Sequence, residues 1–114
     1  MNTRQLFLSI VAAHNAGTGP NAFEAMGETL QEEIETYFPT STTPQRVPRG
    51  RLPEVLRSQL NVRLLIEDPR PYGSFVAANV RPQKNPARVE GILWMDFSPG
   101  RLSRIGFVTR SQSN

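Results

Sequence analysis

Proton-transfer chemistry in this chain begins with His14, because the 114 residues contain one histidine and no cysteine. A neutral imidazole can act as acid or base near pH 7. Phe7, Ile10, Val11 and His14 fall on one helical face, so His14 is the candidate catalytic residue among apolar neighbours. The same position suits a packed histidine bonded to a backbone carbonyl, and both roles stay open. The remaining groups with chemical potential are the carboxylates of Glu35 and Asp96, the phenol of Tyr37, the hydroxyls of Thr36 and Thr109, and the amide of Asn79. Without cysteine there is neither a thiolate nor a disulfide, and one histidine does not build a zinc site. No phosphate-cradling glycine loop or nucleophile motif occurs, so no metal and no cofactor is expected.

These residues need elements to position them. Thr3 can cap a helix that runs to about Ala16, with Gly17 suited to its end. The apolar run from Leu6 to Ala13 could imitate a signal peptide, but its single apolar face argues for a helix in a cytoplasmic domain. Asn21 can cap a second helix carrying Phe23, Met26 and Leu30. Residues 31–38 fit helix or strand spacing; Thr36, Tyr37 and Phe38 before Pro39 favour a strand. The proline-rich stretch 39–50 reads as a loop, and Pro53 opens a third helix with Leu52, Val55, Leu56 and Leu60 at helical spacing. Four strands follow, at 62–67, 74–81, 89–97 and 102–109, with "DPRPYG" and "SPGR" as turns. The last turn is expected to place Gly100 at positive φ. The chain is therefore one α+β domain spanning 1–114, without a membrane-spanning stretch.

Strand parity assigns the faces. Ile34, Thr36 and Phe38 share a side with Leu64, Val76, Ala78, Val80, Leu93, Met95, Phe97, Ile105, Phe107 and Thr109. Charged residues choose the opposite side in every strand, so the first set faces the helices. The net charge is +3, and the arginines of the second half alternate with Glu67, Glu90 and Asp96. That pattern reads as cross-strand ion pairing, Asp96 with Arg104 or another strand neighbour among them, rather than as a nucleic-acid patch. Leu65, Phe75, Ile92, Trp94 and Val108 remain on the outer side. Such a patch exceeds what a soluble monomer usually exposes, and a symmetric homodimer through it is expected, with Trp94 as anchor.

Three strings carry a family resemblance. "AAHNAGTGPNAFEAM" (12–26), "EEIETYFPTS" (32–41) and "WMDFSPGRLSRIGF" (94–107) resemble, in order, the first helical junction, first strand and final hairpin of the NTF2-like superfamily. The resemblance is in particular to its SnoaL-like polyketide-cyclase and ketosteroid-isomerase-like branches. Thr18 departs from the pattern by standing where relatives carry Asp. The resemblance implies a cone in which three helical segments wrap a curved, mainly antiparallel sheet, and dimerisation through the sheet's outer face. It also implies a cavity for a hydrophobic small molecule, a polyketide or terpenoid intermediate undergoing cyclisation, isomerisation or dehydration. The pocket would be lined by Phe7, Val11, Thr36, Phe38, Leu64, Ala78, Leu93, Met95, Ile105, Phe107 and Thr109.

Relatives of the isomerase type keep a general-base Asp where this chain has Phe38, and an oxyanion-stabilising acid where it has Leu93. A desolvated carboxylate works there because burial raises its pKa. Without one, His14 is left as proton carrier, and a non-catalytic ligand-binding or dimerisation module of the same fold is the alternative. The loop carrying Arg46, Arg49 and Arg51 could cover the cavity mouth, or be a solvated connector.

Overall fold

The computed structural model describes residues 2–16, 27–39, 42–60, 64–82 and 91–109. Helix α1 is Thr3–Ala16, as the sequence predicts, but its cap lies one residue earlier. The Asn2 Oδ1 accepts from the Gln5 N–H at 2.8 Å and Gln5 Oε1 accepts from the Asn2 N–H at 3.1 Å. This reciprocal pair satisfies two otherwise orphaned amides. The expected second helix, capped by Asn21, falls mostly on residues 21–26, outside the described residues. Its last apolar member, Leu30, instead follows a short 3₁₀ turn (Gly27–Thr29) and opens strand β1 (Leu30–Tyr37). Residues 31–37 are thus strand, the β-rich run of Thr36 and Tyr37 outweighing the helical spacing of Ile34.

Within the expected loop 39–50 lies a short strand, β2 (Gln45–Pro48), which pairs antiparallel with β1. Its prolines disguised it; a proline is tolerated there because β2 is an edge strand. A 3₁₀ turn (Arg49–Arg51) leads into helix α2 (Leu52–Gln59), with Pro53 in its first turn. The remaining strands are β3 (Leu64–Tyr72), β4 (Phe75–Pro82), β5 (Gly91–Asp96) and β6 (Leu102–Thr109).

Strand β3 is longer than expected, because "DPRPYG" is not the turn. The chain passes through Pro69 and Pro71 on the opposite edge of the sheet, with a register shift between Glu67 and Arg70 and Asp68 at φ +48°. The turn is made by Gly73, at φ +64°, and Ser74. In the β5–β6 hairpin the Gly100 N–H donates to the Phe97 carbonyl at 3.0 Å, the Ser98–Pro99 peptide is cis and Gly100 sits at φ +79°. The turn therefore closes one residue earlier than expected, with Gly100 in its anticipated left-handed conformation.

The described sheet has the order β2-β1-β6-β5-β4-β3, antiparallel throughout except for the parallel β1–β6 pair. Helix α1 packs on β3 and β4 and touches α2. Its Leu6, Phe7, Ile10 and Val11 join Leu52, Leu56 and Leu60 of the α2 segment and the helix-facing strand residues in one apolar cluster. The resulting fold is α+β, with two α-helices among the described residues.

Candidate functional site

Strand alternation sends Ile34, Thr36, Phe38, Val76, Ala78, Leu93, Met95 and Ile105 toward the helices, where all are buried. Exposure is 0% for Phe7, Ile34, Val76 and Ile105 and 1% for Leu93 and Met95. A side chain without accessible surface cannot border a water-sized void, so the middle of this face is packed core. Val11, Leu64 and Ala78 are buried in the same cluster. Thr36 is buried too, and its hydroxyl is committed to the Gln45 carbonyl of β2 at 3.2 Å.

His14 lies half-buried at the end of α1. Its neighbour Asn15 fixes that end in place. The Asn15 Nδ2 donates to the Leu64 carbonyl at 2.8 Å, and Oδ1 accepts from the Leu64 N–H at 2.7 Å. One side chain thereby holds α1 to the first residue of edge strand β3. No sequence pattern singles out this long-range clamp.

Burial loosens at the C-terminal ends of β1 and β6, where Phe107 is half-buried and Thr109 exposed. There an open cleft of about 330 Å³ forms between Tyr37, Phe38 and Pro39 on one side, Phe107, Val108 and Thr109 on another, and the Thr42–Pro44 segment. Its wall is apolar and aromatic, with hydroxyls as its side-chain polar groups. Among the described residues no carboxylate, imidazole or guanidinium lines it.

The loop arginines do not converge on this cleft. Arg49 Nη1 donates to the carbonyls of Gly27 and Leu30, at 3.0 and 3.4 Å. Arg51 pairs loosely with Glu54 at the start of α2, and Arg46 stands beside Glu35 across the β1–β2 ladder. Arg49 thus braces the start of β1, while Thr42–Pro44 of the same loop border the cleft.

On the face away from the helices, the register aligns Arg46, Glu35, Arg104, Asp96, Phe75 and Tyr72 in one row across all six strands. Asp96 is paired with Arg104 as the alternation predicts, at 2.5 Å. Its burial, to 2% exposure, could not be read from parity. The Ser74 hydroxyl donates to Asp96 Oδ1 at 2.8 Å while Arg104 holds Oδ2, and the guanidinium lies 5.6 Å from the Phe75 ring centre. The hydrogen bond to Asp96 is the chief reason that Arg104 is held above the usual arginine pKa; desolvation opposes it and Tyr37 adds to it.

The next row joins Tyr37, Gly106, Trp94, Ala77 and Arg70. The Trp94 indole lies across Gly106, so closely that a Cβ there would stand 2.3 Å from its ring. Tyr37 and Phe75 flank the indole at centroid distances of 5.3 and 5.8 Å. Leu65, Phe75, Ile92 and Val108 are exposed on this face, while Trp94 is half-buried and Asn79 points to solvent. Arg70 pairs with Asp68 and Arg81 with Glu67. Among the described residues no group of three potential metal ligands occurs, and no helix is long and apolar enough to cross a membrane.

No family model matches the sequence, and no curated protein matches it. Its architecture does match solved structures. A candidate ketosteroid isomerase from Kribbella flavida aligns over 98% of this chain and 80% of its own, at 18% identity and a TM-score of 0.67. A SnoaL-like protein of unknown function from Burkholderia thailandensis aligns over 96% of both chains, at 18% identity and 0.67. A candidate polyketide cyclase from Pseudomonas putida aligns over 96% of this chain and 92% of its own, at 16% identity and 0.62. At such identities the likeness establishes the architecture: this chain has the NTF2-like fold.

Proposed function

We propose that this chain is a small-molecule-binding domain that takes a hydrophobic ligand of polyketide or terpenoid type at the cleft between the ends of β1 and β6, without itself transferring a proton. The observation that carries this reading is the chemistry of the wall. Phe38 and Leu93 are apolar and buried where a proton-transferring relative would keep acids, and the cleft offers aromatic surface and hydroxyls. Apolar walls with a few convergent polar groups suit binding and orientation. Tyr37 lines the cleft and packs on Trp94, the sole tryptophan, so intrinsic fluorescence reports occupancy. Titration with a panel of aromatic polyketides and terpenoids is expected to give saturable quenching, abolished by Phe107→Arg. Absence of saturable quenching across the panel, or binding indifferent to Phe107→Arg, overturns the reading.

A second reading is an enzyme of secondary-metabolite biosynthesis, an isomerase, cyclase or lyase, with His14, half-buried on α1 next to Asn15, as its proton carrier. Turnover of a bound ligand that is lost in His14→Ala establishes that version, and turnover unchanged in His14→Ala removes His14 from it. In either version the partner is a hydrophobic small molecule and a second copy of the chain, docked through Leu65, Phe75, Ile92, Trp94 and Val108. The ion-paired arginines of the open face argue against nucleic acid as a partner. The cysteine-free sequence fits a cytoplasmic location.

A further inference from the structure

We propose that a second, polar groove, between β1 and the β5–β6 hairpin, binds a small zwitterion, its ammonium held by the glutamates of β1 and its carboxylate by Arg101. This site is separate from the hydrophobic cleft and does not rest on it.

The groove arises from a register mismatch. Strands β1 and β6 pair at Leu30 with Leu102 and again at Glu35 with Arg104, so four residues of β1 lie opposite one of β6. Strand β1 has no β6 partner across Gln31–Ile34, and a space of about 700 Å³ opens there. That volume is on the scale of small-molecule sites. Glu32, Glu33 and Glu35, with Arg46 of β2 opposite Glu35, contribute to one wall, which stays net acidic. Ser98, Arg101 and Ser103 contribute to the other.

Some of the lining groups are already committed. Arg104 and Asp96 are paired at 2.5 Å, the Ser103 hydroxyl donates to the Asp96 carbonyl at 3.1 Å, and Tyr37 donates to Glu35 at 2.9 Å. The first two bonds fix the hairpin wall and the third holds Glu35 on the β1 wall. Glu32 and Glu33 on one side, and Arg101 on the other, form no ion pair among the described residues. Opposite charges thus face one groove without neutralising each other. A ligand of one charge is attracted by one wall and repelled by the other. A ligand with opposite charges at its two ends complements both, and the groove's size suits a dipeptide better than an inorganic ion.

The probe is the dipeptide Ala-Ala, titrated into the labelled full chain and followed by amide chemical shifts. Saturable shifts are expected at Glu32, Glu33, Ser98, Arg101 and Ser103. Capping the ammonium (N-acetyl-Ala-Ala) or the carboxylate (Ala-Ala-amide) is each expected to weaken binding about tenfold, as loss of one charged hydrogen bond does. Glu33→Gln should weaken Ala-Ala and the amide but not the N-acetyl form, and Arg101→Gln should weaken Ala-Ala and the N-acetyl form but not the amide. Both positions are exposed, so the variants fold. Shifts that never saturate, or capped forms binding as well as Ala-Ala, would show a solvated charged groove and overturn the proposal.

Discussion

At Gly106 a hydrogen is the only side chain that leaves the Trp94 indole where it lies, because any Cβ would stand within 2.3–2.5 Å of three ring atoms. Gly106→Ala must push the indole off Tyr37 and Phe75. The expected cost is about 1–3 kcal/mol of unfolding free energy, the range for overpacking. A shift in Trp94 emission in the folded variant should accompany it; unchanged emission and stability would show that the ring moves freely. At the other end of the domain, Asn15→Ala removes both bonds to the Leu64 backbone and leaves that amide and carbonyl without their partner. A loss of about 1–3 kcal/mol is expected, with faster hydrogen exchange at the Leu64 amide as the specific readout. Sequence reasoning could find His14 because its neighbours repeat with helical period. It could not find Asn15, whose partner lies 49 residues away.

Among the strands, ion pairs differ in what burial makes of them. Asp68 and Arg70 pair at 2.9 Å with both side chains about two-thirds exposed, whereas the Asp96 carboxylate is nearly inaccessible. Arg70→Ala is therefore expected to change stability by less than about 0.5 kcal/mol. Asp96→Ala, which strands Arg104 and the Ser74 hydroxyl, should cost about 2–4 kcal/mol, and comparison of urea midpoints tests the contrast. Because Arg104 is held above its ordinary pKa, its charged form is favoured by folding. That contribution is complete at neutral pH and is lost only as pH rises through the raised value, so mild alkali should leave the pair intact. Alternation made the pairing legible, since Asp96 and Arg104 fall on one face of adjoining strands. It could not reveal burial, which depends on Ser74 and Phe75 arriving from β4's approach. Prolines misled in the same way at two elements: Pro48 hid β2 and Pro69 hid the continuation of β3, because a missing N–H breaks a strand only where a neighbour needs it.

For the molecule as a whole, order of elements carried more information than any motif. The β-meander, the two flanking helices and the sidedness of the sheet follow from spacing alone, whereas the filling of the helix face depends on how side chains interlock. The open face makes the prediction that belongs to this scale. Ile92 is 42% exposed and Val108 56%, and they lie directly opposite each other on β5 and β6. If a second copy covers them, Ile92→Asp should convert a dimer to a monomer in light scattering. A native mass that is already monomeric would remove the dimer. Removing the core instead should unfold the chain: Phe7→Ala, at a position without accessible surface, is expected to cost about 3–5 kcal/mol.

The two outer strands of the described sheet also bear on how the protein behaves when crowded. At one margin β2 is four residues long and ends in Pro48; at the other, β3 carries Pro69, Pro71 and a bulge at Asp68. Neither border offers an uninterrupted ladder of amides on which another chain's strand could template itself. Fibrillar growth by strand addition is thus obstructed at both margins of the described sheet.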